Sequence, residues 1–389
     1  MNIGIFSDVY FPQKNGVSTA VKLYKEEMEK LGHNVYLFIP KYSKDYKRNE
    51  KNVFEFPAIK FLFEKEQRIA LPISTDIFKI RDLNLDIIHS QDPFSMGIFA
   101  EFMSKLLKIK HVGTHHTMYE YYRNYLPLII RPTLKQTQRV IKNWCLKLDK
   151  VISPTKNIKE LLVSYGVPDE HIVVIPTGID TEKFNKKIEW NIKEEYGILP
   201  EEKILLFVGR LGPEKNIDFL IKVFHKVSYE EKNVKLIIVG DGVERNKLEE
   251  LVVELDMHDK VIFTGGQPRE RVLDAYKQAD LFIFASYTET QGLVVLESMA
   301  AGTPVVALGK MGVYDLLNHE NAGGIMLKEL NEDDFAHEII RVLKDEKLYE
   351  KLSKNAIDFV KKNYSIEVSV NKILNVYKSL LNIDKKKNL

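Results

Sequence analysis

Residues 280–308 read DLFIFASYTETQGLVVLESMAAGTPVVAL and contain two short apolar runs with a longer apolar pattern between them. DLFIFAS and TPVVAL are brief and bounded by polar or small residues, which favours buried strands. LVVLESMAAG, which separates them, favours a helix that packs its apolar residues against those strands. A strand, a helix and a second strand in succession predict a parallel sheet and therefore an α/β fold.

The same alternation of strand and helix patterns runs through the rest of the chain. NIGIFS, NVYLFIP, DIIHS and KHVGTHH are strand-like runs of the first half, and KVISPT and IVVIP follow them. After the loop-like TGIDTEKFNKK, the pattern restarts near residue 200 with KILLFVGR and VKLIIVGDG. We predict two doubly wound parallel-sheet domains, at 1–185 and 186–365. Within 366–389, a C-terminal helix should pack back toward the first domain and the tail DKKKNL should be disordered.

Composition narrows the class of protein. An apolar content of 44% over 389 residues indicates a globular chain with more than one core. The single Cys145 excludes a disulfide framework, and residues 1–11 lack the basic segment that opens a signal peptide. No run approaches the roughly 18 apolar residues that a membrane span needs. No G-x-G-x-x-G follows a strand pattern, which argues against a dinucleotide cofactor.

The net charge of +2 conceals a difference between the two halves of the chain. Residues 1–180 hold 26 Lys and Arg against 20 Asp and Glu, whereas the remainder holds 31 against 35. This asymmetry predicts that the first half meets an anionic partner. Nucleic acid is not the expected partner, because the sequence contains no nucleic-acid recognition module.

A basic amphipathic pattern over residues 131–150 gives that partner a candidate surface. The candidate membrane contacts are Arg131, Lys135, Arg139, Lys142 and Trp144. Such a helix favours attachment to an anionic membrane surface, and residues 60–68 form a second candidate contact. The alternative is a domain helix with a solvated basic face. We expect a cytoplasmic protein that associates peripherally with the inner face of the cell membrane.

Two glutamates flank the start of the predicted helix in the opening stretch. Glu289 lies on the loop that leaves the strand, and Glu297 lies in the first or second turn of the helix. Between them, the helix start would present the backbone N–H groups of Gln291, Gly292, Leu293 and Val294. Such an N-terminus binds anions, and a carboxylate on either side can accept hydrogen bonds from sugar hydroxyls. The alternative is that Glu289 caps the helix and Glu297 is solvated.

Several motifs together resemble glycosyltransferase family 4, whose enzymes have the GT-B fold of two Rossmann-like domains facing across a cleft. The motifs are the glutamate pair, GRLGPEKN, PTGID, VGDG, ESMAAGTPVVA and the N-terminal NGV. Each motif is weak alone, and jointly they are specific. The resemblance extends over nearly the whole chain and implies a hexosyltransferase that uses a nucleotide sugar.

The resemblance implies a role for each charged residue of these motifs. Arg210 and Lys215 would bind the diphosphate of a UDP-sugar, where negative charge develops as the glycosidic bond breaks. Glu297 would hold the ribose hydroxyls. Glu289 would contact the transferred hexose together with the backbone of Gln291 and of the glycine after it.

Further positions follow from the same resemblance. Gly16 would let the N-terminal loop approach the phosphates without a side chain in the way. The base would lie near residues 263–268, with Gly265 and Gln267 as contacts. His116 matches the family histidine that faces the sugar from the first domain. A metal site is not expected at the adjacent histidines, because no carboxylate stands at ligand spacing, and Mg²⁺ would be non-essential.

The first domain most resembles bacterial 1,2-diacylglycerol 3-glycosyltransferases, through FSDVYFPQKNGVSTAV, HSQDPFSMG and GTHHTMYEYYRNYLP. This resemblance implies transfer of glucose, or secondly galactose, from a UDP-sugar to diacylglycerol with retention of configuration. It implies a front-face displacement rather than the two-carboxylate scheme of glycosidases. The alternatives are another lipid acceptor, a soluble acceptor or a non-catalytic nucleotide-sugar-binding protein.

Overall fold

The computed structural model describes residues 1–13, 15–42, 48, 50–61, 68–72, 76–123, 126–127 and 131–387. Two compact units share the chain. Unit 1 comprises Met1–Gly178 and Ile366–Leu389, and unit 2 comprises Ile179–Ser365. The division therefore lies before the predicted boundary at residue 185, because Ile179 and Phe184 both pack into the core of unit 2.

Unit 1 is built on a seven-stranded parallel sheet with the order β3-β2-β1-β6-β7-β8-β9. A two-stranded antiparallel hairpin, β4 and β5, is inserted after β3. The strands are β1 (Asn2–Phe6), β2 (Asn34–Pro40), β3 (Val53–Phe56), β4 (Ala58–Lys60), β5 (Arg68–Ala70), β6 (Ile87–Ser90), β7 (Lys110–Thr114), β8 (Lys150–Ser153) and β9 (Ile172–Val174). The helices that accompany them are α1 (Gly16–Lys30), α2 (Asp76–Asp82), α3 (Ser95–Leu107), α4 (Tyr119–Tyr122), α5 (Leu134–Cys145) and α6 (Lys156–Ser164).

Unit 2 contains a six-stranded parallel sheet with the order β12-β11-β10-β13-β14-β15. Its strands are β10 (Lys203–Val208), β11 (Val234–Val239), β12 (Val261–Gly265), β13 (Leu281–Phe284), β14 (Val305–Leu308) and β15 (Gly324–Leu327). Its helices are α7 (Ile192–Glu195), α8 (Ile217–Glu230), α9 (Arg245–Glu254), α10 (Arg269–Gln278), α11 (Leu293–Ala300), α12 (Met311–Leu317), α13 (Glu332–Lys344) and α14 (Glu346–Tyr364). Residues 280–308 contain β13, α11 and β14, which confirms the predicted strand, helix and strand.

A last helix, α15 (Ile366–Lys387), returns to unit 1 and packs against α1. Its Tyr377 hydroxyl lies 2.5 Å from Nδ1 of His89, so α15 is joined to the buried strand β6. The helix continues to Lys387 and so extends into the tail DKKKNL, which was expected to be disordered. No helix among the described residues is both long and apolar enough to cross a membrane.

Each parallel sheet contains a point where the strand order reverses. In unit 2 that point lies between β10 and β13, and in unit 1 it lies between β1 and β6. In open parallel sheets, ligands bind beyond the carboxyl ends of the strands that border such a point. The loops that follow β10 and β13 are therefore the first place to look for a site.

Candidate functional site

The loop after β10 carries two of the predicted cations. Arg210 follows Gly209 directly, and its guanidinium Nη2 donates to Oε1 of Glu214 at 2.9 Å. Lys215 ends a short 3₁₀ turn, Pro213–Lys215, and its ammonium forms an ion pair with Glu289 from the loop after β13. Each cation thus has a carboxylate partner.

Two glycines allow this loop to pack backbone to backbone against the loop after β11. A Cβ on Gly240 would lie 1.8 Å from the carbonyl oxygen of Gly209, and a Cβ on Gly242 would lie 2.4 Å from that of Leu211. Both distances are far below van der Waals contact, so any other residue would push the loops apart. The VGDG motif is therefore a packing element that holds the Arg210 loop in place.

The loop after β13 leads into α11 through Gly292, whose φ of +84° is in the left-handed region. The first N–H groups of α11, those of Leu293 and Val294, have no carbonyl within the helix to donate to. Gln291 is 2% exposed, and a Cβ on Gly312 would meet its Cα at 2.4 Å. The start of α12 thus supports the loop from behind, and this contact needs a glycine.

Two further hydrogen bonds join the loops after β10 and β13, in addition to the ion pair between Lys215 and Glu289. The side-chain amide of Asn216 donates to the carbonyl of Ala285 at 2.7 Å. The backbone N–H of Tyr287 donates to the carbonyl of Glu214 at 3.1 Å. The two predicted cations, the first glutamate and the start of α11 are therefore parts of one connected surface.

The second glutamate has a partner that the sequence analysis did not identify. Nη1 and Nη2 of Arg269 donate to the two carboxylate oxygens of Glu297 at 2.9 and 2.6 Å. Burial lowers the pKa of Arg269, but the Glu297 carboxylate outweighs it and raises that pKa above its ordinary value. Glu297 is 7% exposed and is held by an ion pair, so the alternative of a solvated glutamate does not apply.

Gly265 is the last residue of β12, at the edge of the same sheet, and Gln267 follows that strand. Gly265 has a φ of +69°, and its carbonyl accepts the N–H of Gly240 at 3.0 Å. The Gln267 amide donates to the carbonyl of Thr264 at 2.8 Å. These residues therefore form a turn that is joined to the loop after β11.

In unit 1, the predicted contacts follow β1 and β7. Gly16 is the first residue of α1, and Asn15 caps that helix by accepting the N–H of Ser18 at 2.9 Å. His116 lies two residues beyond β7, and its Nε2 lies 2.8 Å from Oε1 of Gln91, which follows β6. An amide oxygen can only accept, so Nε2 of His116 carries the proton.

His116 is an uncharged side chain in this environment. Burial, together with the neighbouring His115, lowers the pKa of His116 to about 3. Burial also lowers the pKa of His115 to about 4, and neither ring nitrogen of His115 has a hydrogen-bond partner among the described residues. In the described part of the chain, no three His, Cys, Asp or Glu side chains converge in a way that could hold a metal ion.

The five predicted membrane contacts differ in how exposed their side chains are. Lys135 and Arg139 are exposed on α5. Lys142 is half-buried, and its Nζ lies against Gly166 at the end of α6. Arg131 is half-buried and donates to the carbonyl of Leu126 at 3.0 and 3.1 Å.

Trp144 requires a correction, because it lies inside unit 1 rather than on the predicted membrane face. Its indole is 6% exposed and packs against Gly113 of β7. Ile141, Trp144 and Cys145 of α5 therefore face the protein core, whereas Leu134 and Val140 of the same helix are exposed. In the second candidate contact, residues 62–67 lie outside the described part of the chain.

Family comparisons agree with this geometry. Residues 14–183 match the profile of Glycosyltransferase Family 4, and residues 188–359 match that of Glycosyl transferases group 1. The alpha-monoglucosyldiacylglycerol synthase of Streptococcus pneumoniae is 38% identical over 88% of this chain and 78% of its own. The chain belongs to glycosyltransferase family 4.

A second relative matches along its whole length. The alpha-monoglucosyldiacylglycerol synthase of Acholeplasma laidlawii is 31% identical over 100% of this chain and 99% of its own. Among solved structures, Anabaena HepE in complex with UDP and glucose superposes with a TM-score of 0.77 over 97% of this chain and 100% of its own, at 17% identity. That superposition confirms the GT-B fold, and the family 4 chain is a glycosyltransferase.

The sequence analysis missed three residues, each of which contacts a predicted site residue of its own unit. Arg269, in GGQPRE, could have been noticed as a cation at a helix start, and Gly312, in GKMGV, as a glycine after a strand. Gln91, in HSQDP, follows a strand directly and is 0% exposed. Each acts through a neighbour distant in sequence, so no local pattern marked it.

Proposed function

We propose that this chain transfers a hexose from a UDP-sugar to 1,2-diacylglycerol with retention of configuration, giving a monoglycosyldiacylglycerol. Glucose is the first choice of sugar and galactose the second. The observation that carries the proposal is the joining of Arg210, Lys215 and Glu289 at one reversal point of a parallel sheet, with Glu297 in the helix that starts there. The names of the two relatives support the acceptor.

In this proposal, two cations bind the diphosphate of the donor and two carboxylates accept hydrogen bonds from its sugar hydroxyls. The diphosphate would take Arg210 and Lys215 in place of their present partners, Glu214 and Glu289, and would meet the first N–H groups of α11. Once Lys215 turns to the diphosphate, the Glu289 carboxylate can accept hydrogen bonds from the hexose. Glu297 keeps a second lone pair on each oxygen, which can accept from the ribose hydroxyls.

Transfer then proceeds without a covalent bond between the sugar and the protein. The bond between the sugar C1 and the leaving phosphate oxygen breaks, and the acceptor hydroxyl oxygen forms the new bond to C1 on the same face. The acceptor proton passes to the leaving phosphate oxygen. Arg210 and Lys215 stabilise the charge that develops there, and a water-poor site strengthens both contacts.

His116 would face the sugar from unit 1 as a neutral hydrogen-bonding group. The lowered pKa of His116 keeps its imidazole uncharged, which suits this role. Gln91 would hold the ring with the proton on Nε2. Gly16 would leave room for the phosphates at the start of α1.

The acceptor is embedded in lipid, so we propose peripheral association with the inner face of the cell membrane. The exposed Lys135 and Arg139 support this, since each basic residue near an anionic surface contributes about 1 kcal/mol. We do not expect nucleic acid as a partner. The alternative acceptors remain another lipid or a soluble molecule.

No tightly bound cofactor enters the proposal, and Mg²⁺ would be non-essential. The guanidinium of Arg210 and the ammonium of Lys215 supply the positive charge that the leaving diphosphate requires. Transfer in excess EDTA should therefore proceed at a rate close to that with added Mg²⁺. A complete loss of activity in EDTA that Mg²⁺ restores would refute this part.

The proposal is tested with radiolabelled UDP-glucose, UDP-galactose, UDP-N-acetylglucosamine and GDP-mannose, each incubated with mixed micelles that contain diacylglycerol. We expect a labelled monoglycosyldiacylglycerol with UDP-glucose, and NMR of the product should show the α-anomer. Labelling of a soluble acceptor alone would favour the alternative. UDP binding without transfer to any acceptor would favour a non-catalytic binding protein.

A further inference from the structure

Helix α3 exposes a continuous apolar stripe that the sequence analysis did not consider. Phe94, at its N-cap, and Ile98, Phe102 and Leu106 follow one another at intervals of four residues and are 49%, 63%, 54% and 58% exposed. Residues four apart lie on one face of a helix, so the four side chains form a single ridge about 18 Å long. We call these four residues the α3 ridge.

The opposite face of α3 is the ordinary core-facing one. Met96, Phe99, Ala100 and Met103 are 3% exposed or less and pack in a cluster of unit 1. A surface helix normally presents polar residues opposite such a face. A helix that is apolar on both faces is typical of a protein core or a membrane. The α3 ridge is therefore unusual, because it is exposed and yet apolar.

Basic side chains border the α3 ridge. Lys105 of α3 is 68% exposed and Lys147, just beyond α5, is 52% exposed. Both bind Glu101, at 2.6 and 3.0 Å, so the carboxylate on this side of the helix is paired with two cations. The same bridge joins α3 to the end of α5, whose Lys135 and Arg139 are exposed.

We infer that the α3 ridge is the element that enters the bilayer, lying in the membrane interface beneath anionic headgroups that the adjacent lysines contact. An apolar face bordered by Lys and Arg is the composition of an interfacial helix. This inference rests on the proposed function, in which the acceptor resides in the membrane. It assigns the main apolar contact to α3 and the electrostatic contact to Lys135 and Arg139 of α5.

The charges beside the α3 ridge favour a lipid surface, rather than a second copy of the chain, as the partner that covers it. A symmetric dimer through the α3 ridge would place Lys105 and Lys147 of one copy near the same residues of the other. Like charges at such an interface are unfavourable, whereas an anionic bilayer complements them.

The test compares two double variants of the full-length protein in vesicle sedimentation, with and without anionic lipid. Ile98→Ser with Phe102→Ser removes the middle of the α3 ridge. Leu199→Ser with Val253→Ser is the matched control, since these residues of unit 2 are 54% and 70% exposed. We expect the ridge variant to partition into anionic vesicles about 10-fold less than wild type, and the control to partition like wild type. Equal partitioning of both variants would overturn the inference.

Activity separates failure of this inference from failure of the proposed function. With a short-chain diacylglycerol dispersed as monomers, the ridge variant should transfer hexose like wild type, and with diacylglycerol in vesicles it should transfer less. Transfer by no form of the protein to either acceptor would contradict the proposed function instead. A dimer that the ridge substitutions dissociate, with vesicle partitioning unaffected by them, would assign the ridge to a second copy and overturn the inference.

A tryptophan at the ridge gives a direct reading of insertion. The native Trp144 and Trp190 are 6% and 8% exposed, so their emission should change little on membrane binding. Phe102→Trp should add an emission that shifts to the blue with anionic vesicles and is quenched by brominated acyl chains. An added emission that stays unshifted and unquenched while the protein sediments with vesicles would exclude insertion at α3.

Discussion

Arg269 donates two hydrogen bonds to Glu297, one to each carboxylate oxygen, at 2.9 and 2.6 Å. The pair is bidentate, and such geometry fixes the plane of a carboxylate as well as its charge. Arg269 begins α10, and Glu297 lies in the second turn of α11. If Glu297 binds ribose, Arg269 is a positioning residue for the nucleotide although it need not touch it.

We predict that Arg269→Lys weakens UDP binding about 10-fold, because lysine retains the charge but loses the two-pronged contact. Isothermal titration of UDP measures this. Arg341→Gln is the control, since it removes an exposed pair with Glu338 on α13 of the same unit. If UDP binds Arg269→Lys and wild type equally, orientation by Arg269 does not matter for the nucleotide.

The cations of the β10 loop should act mainly on turnover. Arg210→Ala or Lys215→Ala should each reduce kcat roughly 10²–10³-fold, since each removes a contact that strengthens as charge develops on the leaving phosphate. Steady-state kinetics with saturating donor measure the loss, and circular dichroism controls for folding. Turnover near wild type in both variants would remove these residues from the mechanism.

The two glutamates should separate in a binding experiment. Glu289→Gln breaks the ion pair with Lys215 and releases that cation for the diphosphate, so UDP affinity should hold or rise while transfer falls. Glu297→Gln should weaken UDP itself, because the ribose loses a charged acceptor. Equal losses of UDP affinity in the two variants would mean that the roles are misassigned.

Gln91 should affect how kcat falls at low pH, because it contacts His116 and so influences the pKa of that side chain. In Gln91→Glu, a carboxylate beside Nε2 favours the imidazolium and should raise the His116 pKa from about 3 by one unit or more. If neutral His116 is required, the acid limb of kcat should move to higher pH. Gln91→Leu should lower kcat without moving that limb. A purely structural role for Gln91 predicts the same limb in both variants.

Acid should destabilise unit 1 through four histidines, of which His89, His111 and His115 are buried and His116 is half-buried. Burial, as the main cause, lowers the pKa of His89 and His116 to about 3 and of His111 and His115 to about 4. The unfolded chain binds these protons near pH 6.5 and the folded one does not. As pH falls from 6.5 toward 4, protonation of these histidines in the unfolded chain should therefore lower the free energy of unfolding.

Two carboxyl groups of unit 1 oppose part of that loss. Burial raises the pKa of Asp8 and of Asp92, so their protonation over the same range favours the folded state. Urea unfolding at pH 7 and pH 5 measures the balance, with Trp144 reporting unit 1 in Trp190→Phe and Trp190 reporting unit 2 in Trp144→Phe. We expect the midpoint to fall for Trp144 and to change less for Trp190. A midpoint at Trp144 that does not depend on pH would refute this.

The sequence alone determined the α/β class, the restart of the pattern near residue 200 and the loops that carry the charged motifs. These follow from local properties, because apolar runs and glycine turns report on neighbours a few positions away. The stretch 280–308 predicted its strand, helix and strand because each is short and strongly patterned. Family resemblance added the expected ligand groups of Arg210, Lys215 and the two glutamates.

Only the tertiary structure decided which side chains meet and which faces stay in water. A basic amphipathic pattern did not tell whether Trp144 faces lipid or core, since both environments favour the same apolar residues. Arg269 meets Glu297 across 28 positions and Gln91 meets His116 across 25, because parallel strands bring distant loops to one sheet edge. The α3 ridge could not be predicted from the sequence either. An apolar helix pattern predicts burial, and whether a helix face is exposed depends on which elements pack around it.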